Sequence, residues 1–209
     1  MVFLFLLLEL SAISYCRATV VSRVVGRIGD YFLTSREILA TRLIEKVLYP
    51  EQKLNVIDDI GSREFVMQVT SSLLEKVVSV EADSFSVASI SDDELKTVMN
   101  KARKELQGLN AWQKLEISAV EFQEFVMRKL RSKKFLKYKT EAANLTVTDF
   151  EVKEYFEKSR YKFGNLPLES FKENIRQFLI QKQTEDRLRE WFEVLRKKYQ
   201  VRNFMAEAN

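Results

Sequence analysis

Val20-Val21-Ser22-Arg23-Val24-Val25-Gly26-Arg27-Ile28-Gly29-Asp30-Tyr31-Phe32-Leu33-Thr34-Ser35-Arg36-Glu37 places two kinds of signal side by side. β-branched residues around Gly29-Asp30 spell a small hairpin with a two-residue turn, the glycine supplying the positive φ. Thr34 and Glu37 then have the spacing of a capping box, in which hydroxyl and carboxylate each satisfy a free backbone N–H. A helix should therefore start at Ser35 and run to about Leu48, with Pro50 ending it. A lone hairpin is unstable in water, so this one must lean on helices.

The rest of the chain supplies them. Residues 50–60 read as a loop, and Gly61-Ser62 opens a helix that sets Val66, Val69, Leu73, Val77 and Val80 on one face. A linker rich in Ser and Ala is expected over 81–90. Ser91 and Glu94 form a second capping box, ahead of Leu95, Val98, Met99, Ala102 and Leu106 at helical spacing, and Gly108 stops that helix. Trp112 and Leu115 mark a short helix. A third box, Ser118 with Glu121, precedes Phe122, Val126 and Leu130 on one side of a helix, while Phe125 and Met127 lie off that stripe.

A basic run over 128–139 encloses Phe135, Leu136 and Tyr138. Acidic residues flank it, so it reads as a solvated face with inward aromatics rather than an RNA or lipid site. Thr148 and Glu151 form a fourth box, starting a helix with Val152, Tyr155 and Phe156 that ends at Tyr161-Lys162-Phe163-Gly164-Asn165. Pro167 suits the first turn of a last helix, where its missing N–H costs nothing. That helix carries Phe171, Ile175, Phe178, Leu188, Trp191, Leu195 and Tyr199 on one stripe, about thirty residues or ~45 Å. Residues 201–205 are β-prone and could add a strand to the hairpin, closing the chain on itself.

Composition agrees with a mainly α fold. The 209 residues are 46% hydrophobic and 31% charged, with 5 Gly and 2 Pro, enough apolar material for a core and few helix breakers. A net charge of +4, from 34 basic and 30 acidic residues interspersed along the chain, is too mild and too mixed to argue for nucleic acid. Upstream of the hairpin, Val2-Phe3-Leu4-Phe5-Leu6-Leu7-Leu8 opens an apolar leader that is short of the ~20 residues needed to span a bilayer. Cys16-Arg17-Ala18 offers small residues before Thr19, so residues 1–18 are expected to be a cleaved signal peptide. Glu9 interrupts the apolar run and no Lys or Arg follows Met1, which leaves a lipoprotein site at Cys16 and a buried N-terminal helix as alternatives. Cleavage after Ala18 leaves a chain without cysteine, its net charge still +4, for which an oxidising compartment is compatible but not required.

Enzyme chemistry finds few residues to stand on. The sequence has no His, so a Ser or Cys nucleophile lacks its usual base and zinc lacks its usual nitrogen ligand. A Gly-rich phosphate loop is also missing. Of the carboxylate pairs, Asp58-Asp59 falls in a loop and Asp92-Asp93 in a helix first turn, where acids favour the dipole. No catalytic residue, metal or cofactor is expected.

Several segments, in order, carry a resemblance. Strand, turn, strand and capped helix over 20–38 look like the entry to the SurA-type periplasmic chaperones and their parvulin-containing relatives. Leu73-Leu74-Glu75 through Glu81-Ala82, then Ile90-Ser91-Asp92-Asp93-Glu94-Leu95, is similar to a helix of that family followed by its next helix start. Residues 122–136 resemble the following family helix. Leu145-Thr146-Val147-Thr148-Asp149-Phe150-Glu151-Val152 through Tyr155-Phe156 to Tyr161-Lys162-Phe163 matches best, and Leu188, Trp191, Leu195 and Val201 resemble the C-terminal helix and strand. In the isomerase members a parvulin domain of roughly a hundred residues would follow the Tyr155-Phe156 helix, yet Phe163 reaches Phe171 through one short turn. The resemblance thus implies the chaperone module alone: a single helical domain over 19–209, with hairpin and helices over 20–163 and the long helix over 167–200.

It further implies a periplasmic holdase without enzymatic activity, taking unfolded polypeptides and above all outer-membrane proteins as clients. Nucleic acid is not an expected partner, nor is stable membrane insertion expected once the signal is cleaved. Such a protein needs an adaptable apolar surface, for which the peptide-binding candidates are Phe65, Met67, Met99, Trp112, Phe125, Met127 and Tyr155. Phe125 and Met127, off the main stripe of their helix, stand out among them. Core packing competes for each, since an aromatic stripe is usually core. The rival expectation is an exported interaction subunit that docks on one folded partner or forms a homodimer by exchanging its last helix.

Overall fold

The computed structural model describes residues 22–142 and 145–208, so the leader and its cleavage site lie outside the described residues. Strands β1 (Val24–Ile28) and β2 (Tyr31–Thr34) form the expected antiparallel hairpin, with Gly29 at φ +53° in the two-residue turn. Helices α1 (Ser35–Leu48), α2 (Arg63–Asp83), α3 (Asp92–Leu106), α4 (Asn110–Gln113), α5 (Ala119–Ala142), α6 (Asp149–Lys158) and α7 (Lys172–Lys198) follow. Strand β3 (Arg202–Asn203) and the single turn α8 (Phe204–Glu207) come last among the described residues. The protein is mainly α, and β3 does pair with β1, giving the sheet order β2-β1-β3.

Two of the four capping boxes close fully. Thr148 and Glu151 exchange both bonds, and so do Ser118 and Glu121. At α1, Thr34 Oγ1 accepts from the Glu37 N–H at 3.2 Å, but the Glu37 carboxylate does not return the favour. It is buried instead, accepting from the Tyr31 hydroxyl and from Arg128. Tertiary charge pairing outcompetes the local cap because Arg128, only 6% exposed, needs a buried counter-charge.

α2 runs through Asp83, three residues into the expected linker, because the carboxylate of Glu81 is held at 2.6 Å by both Lys198 Nζ and the Tyr199 hydroxyl. The last helix starts later than expected. Pro167 caps a short 3-10 turn, and Phe171, at φ −125° and ψ −5°, leaves the helical path before Lys172 so that its ring meets Phe163. The apolar stripe of α7 is not continuous either. Ile175 is buried near one end and Leu195 near the other, while Phe178 stays 47% exposed.

Three apolar clusters result among the described residues. The first joins the sheet (Val25, Ile28, Leu33) to Phe65, Val69, Leu73 and Val77 of α2, Phe135 of α5 and Leu195 of α7. The second packs Leu43 and Ile44 of α1 against Leu95, Ala102 and Leu106 of α3 and Phe122, Phe125 and Val126 of α5. The third is small, Val147, Val152 and Phe156 against Ile175. Each large side chain so buried contributes roughly 1.5–3 kcal/mol.

Between the first two clusters sits a polar knot. Arg128 and Lys129, expected on a solvated face, are only 6% and 5% exposed. Lys129 Nζ donates to Glu75 at 2.5 Å, and Arg128 bridges Glu37 and Glu75. Burial alone would favour the neutral form of Arg128, but Glu37 and Glu75 outweigh it and hold its pKa above the ordinary value. Burial also pushes the Tyr31 hydroxyl up, and Glu37 adds to the push. The knot fixes β2, α1, α2 and α5 relative to one another.

Candidate functional site

A solvent-open groove of about 1020 Å³ lies between α1, α3 and the segments that follow each of them. Its apolar lining comes from Leu39, Leu43 and Val47 of α1, four residues apart along one side of that helix. Val56 of the loop after α1 and Leu109 and Leu115 around α4 complete it. Leu109 is 36% exposed, as a binding residue must be, whereas Leu43 at 5% belongs to the floor. The rim is ionic: Lys46, Lys101 and Lys114 with Asp58 and Glu105. None of these five pairs with another charged side chain among the described residues.

The wall around Leu115 is clamped by Arg36. Its Nε donates to the Leu115 carbonyl at 2.7 Å, its Nη2 to the Glu116 carbonyl at 2.8 Å and its Nη1 to Glu121 at 2.5 Å. Glu116 adopts φ +48°, the left-handed backbone that turns the chain from α4 into α5. The Arg36 hydrogen bond, opposed by burial and aided by the Ser118 N–H, holds the Glu121 carboxyl at about 2, well below the usual carboxylate range. On the other wall, Arg42 Nε donates to the Asn55 carbonyl at 3.2 Å and ties the loop back to α1. Both walls are therefore anchored to one helix.

None of the seven sequence-predicted residues lines this groove. Phe65 is fully buried under the sheet and Phe125 is 6% exposed beneath the Arg128 guanidinium, 5.2 Å from its ring centre. For these two the core reading is the correct one, because a residue off one helical stripe still turns inward where a helix is packed on several sides. Met99 and Met127 are half-buried against the second cluster. Trp112 packs edge-on to Phe122 at 5.7 Å and opens on a smaller hollow of about 420 Å³. Tyr155 lies far along the chain in the third cluster, 5.3 Å from Phe178. Met67 is 60% exposed and lines a separate cleft of about 330 Å³ with Leu54 and Ile57. The candidates are scattered rather than gathered, and the groove was signalled by a second stripe on α1, Leu39, Leu43 and Val47.

Comparison with known proteins returns no match among family models, curated proteins or solved structures. The functional reading rests on the groove and its chemistry. Among the described residues no group of three or more His, Cys, Asp or Glu could hold a metal ion, and no helix is long and apolar enough to cross a membrane. What the groove offers is desolvation of an apolar segment with charges waiting at its edge.

Proposed function

We propose that this protein is a non-enzymatic holdase, exported to the periplasm, that binds unfolded polypeptides on their way to the outer membrane. The observation that carries the reading is the α1–α3 groove, apolar inside, open to solvent and rimmed by charges without an ionic partner among the described residues. An extended or nascent helical segment buries a few aliphatic or aromatic side chains there, at roughly 25 cal/mol per Å² removed from water, without requiring one fixed sequence. Polypeptide rather than nucleic acid fits a net charge of only +4. The resemblance to SurA-type chaperones over most of the chain supports the same choice.

The test uses protein recovered from the periplasm and two unrelated outer-membrane barrel proteins diluted from urea, with light scattering following aggregation. Suppression of both, weakened severalfold by Leu109→Asp and untouched by Met67→Ser on the far cleft, is the expected result. No suppression at several-fold excess would overturn the reading. A second reading, docking on one folded partner, draws on exposed apolar residues around α6 and α7, Phe150 at 74%, Tyr161 at 81% and Phe178 at 47%. A pull-down that returns one folded protein, lost on Phe178→Ser and kept on Leu109→Asp, would favour it.

A further inference from the structure

Gln68 lies on α2 one turn after Phe65 and next to Val69, both fully buried, and is itself only 7% exposed. Its Oε1 is buried and accepts no hydrogen bond among the described residues. Buried acceptors are nearly always met, because an unmet one keeps the whole cost of being stripped of water. The Gln68 side chain lines two adjoining hollows, which share Arg42, Gln68 and Ser71. The outer one is the cleft of about 330 Å³, with Leu54 and Ile57 of the loop after α1 and Met67 of α2 on its sides. The inner one, about 50 Å³, lies between Thr41 and Glu45 of α1 and Ser72 and Glu75 of α2, with Lys129 of α5 also on its wall. Gln68, Ser72 and Glu75 recur at four- and three-residue steps, so a single face of α2 supplies them. The cleft is separate from the α1–α3 groove: Val56 and Asp58 of the intervening loop line the groove, whereas Leu54, Asn55 and Ile57 line the cleft.

We infer that this cleft binds a small uncharged molecule with a short apolar body and a hydrogen-bond-donating head, the head reaching Gln68 Oε1. The free group at the bottom of the cleft is an acceptor, so the ligand must bring the donor. Charge selects against ions of either sign. Arg42, Lys53 and Lys129 are balanced along the two hollows by Glu45, Glu64 and Glu75. The inner four are already paired, Arg42 donating to Glu45 at 2.9 Å and Lys129 to Glu75 at 2.5 Å. An anion would meet Glu45 and Glu75, a cation Arg42 and Lys129, and neither would find a free counter-charge beside Gln68. The apolar body is provided for by the half-buried Leu54 and Ile57 and by Met67, 60% exposed, whose flexible thioether folds over chains of varied shape. Apolar sides with one well-placed polar group are the usual make-up of a small-ligand site.

A matched series of ligands tests it on the full chain: hexanamide, its isostere methyl pentyl ketone, hexanoate and the hexanamidinium ion. Each is titrated while NMR follows the Met67 methyl group and the Gln68 side-chain amide. Hexanamide is expected to shift both signals to saturation, with a Kd on the order of millimolar for so few atoms. The ketone keeps the body and the carbonyl but has no donor, and should bind roughly tenfold more weakly, as should both ions. Gln68→Leu should bring hexanamide down to the level of the ketone, whereas Met67→Ala should weaken amide and ketone alike. Equal binding of amide and ketone by the wild-type protein overturns the contact with Gln68. Binding of either ion as tight as that of hexanamide overturns the uncharged ligand, and shifts that never saturate overturn the site, leaving a hydrated hollow. The wild-type comparison decides the matter should Gln68→Leu fail to fold.

Discussion

The guanidinium of Arg128 donates from Nη1 to the carboxylate of Glu37, 91 residues earlier in the chain, and both side chains are under one-tenth exposed. This pair costs desolvation on both sides, and Glu75 and Tyr31 help to offset it. Removing one member should leave an uncompensated buried charge. Arg128→Met is expected to lower the free energy of unfolding by about 3–5 kcal/mol, and Arg128→Met/Glu37→Gln to cost less than the sum of its two single changes. Urea unfolding of the four proteins checks this, and strict additivity would refute the coupling.

The Arg36–Glu121 pair gives the protein an acid-sensitive joint at the groove wall. Its folded-state pKa, at about 2, lies below the value of an unpaired glutamate, near 4.5. The pair therefore contributes fully above about 4.5, and the contribution is lost as pH falls toward 2. Wild-type protein should lose stability through that window more steeply than Glu121→Gln, which has already lost the charge. Thermal midpoints of both proteins measured across the acid range test the slope. Moderate salt should narrow the gap, because Glu121 is 34% exposed.

Gly26 is a point of close approach between β1, β3 and α2. A Cβ there would stand 2.9 Å from the Arg202 carbonyl oxygen and 3.0 Å from Leu73 Cδ1. Since the first is strand backbone, Gly26→Ala should push β3 away rather than move a side chain, at a cost of about 1–3 kcal/mol. Hydrogen exchange should show faster labelling of 202–207, where Asn203 otherwise binds Val66 and Thr70 of α2 through Nδ2 at 3.2 and 2.8 Å. Unchanged exchange there would sink the prediction.

Local signals were legible in the sequence and tertiary ones were not. The bounds of α1 follow from Thr34 and Pro50, and the hairpin from Gly29-Asp30, because caps and turns are decided within a few residues. The extra turn of α2 could not be read, since Glu81 is held by Lys198 and Tyr199 from the other end of the chain. Burial of Arg128 and Lys129 was hidden for the same reason, their partners lying on α1 and α2. The groove was half legible. Leu39, Leu43 and Val47 show a second stripe, but only the turn at Glu116 and the Arg36 clamp bring Leu109 and Leu115 opposite it.

The third cluster should open without the others. α6 packs chiefly on the first half of α7, and the buried members are just Val147, Val152, Phe156 and Ile175. The middle of α7 is mostly exposed, so little apolar contact carries stability from this cluster to Leu195 and the first core. Phe156 stacks on Phe163 at 4.9 Å and under the Arg160 guanidinium at 4.6 Å, which makes it the pin of the cluster. Truncating a buried Phe typically costs about 3–5 kcal/mol, more than so small a unit can bear. Phe156→Ala is therefore expected to abolish slow hydrogen exchange over 149–158 while α2 and α5 keep theirs. Because the α1–α3 groove belongs to the second cluster, the client binding proposed for it should survive the same change, and parallel loss of protection in α2 would show that the chain unfolds as one unit instead.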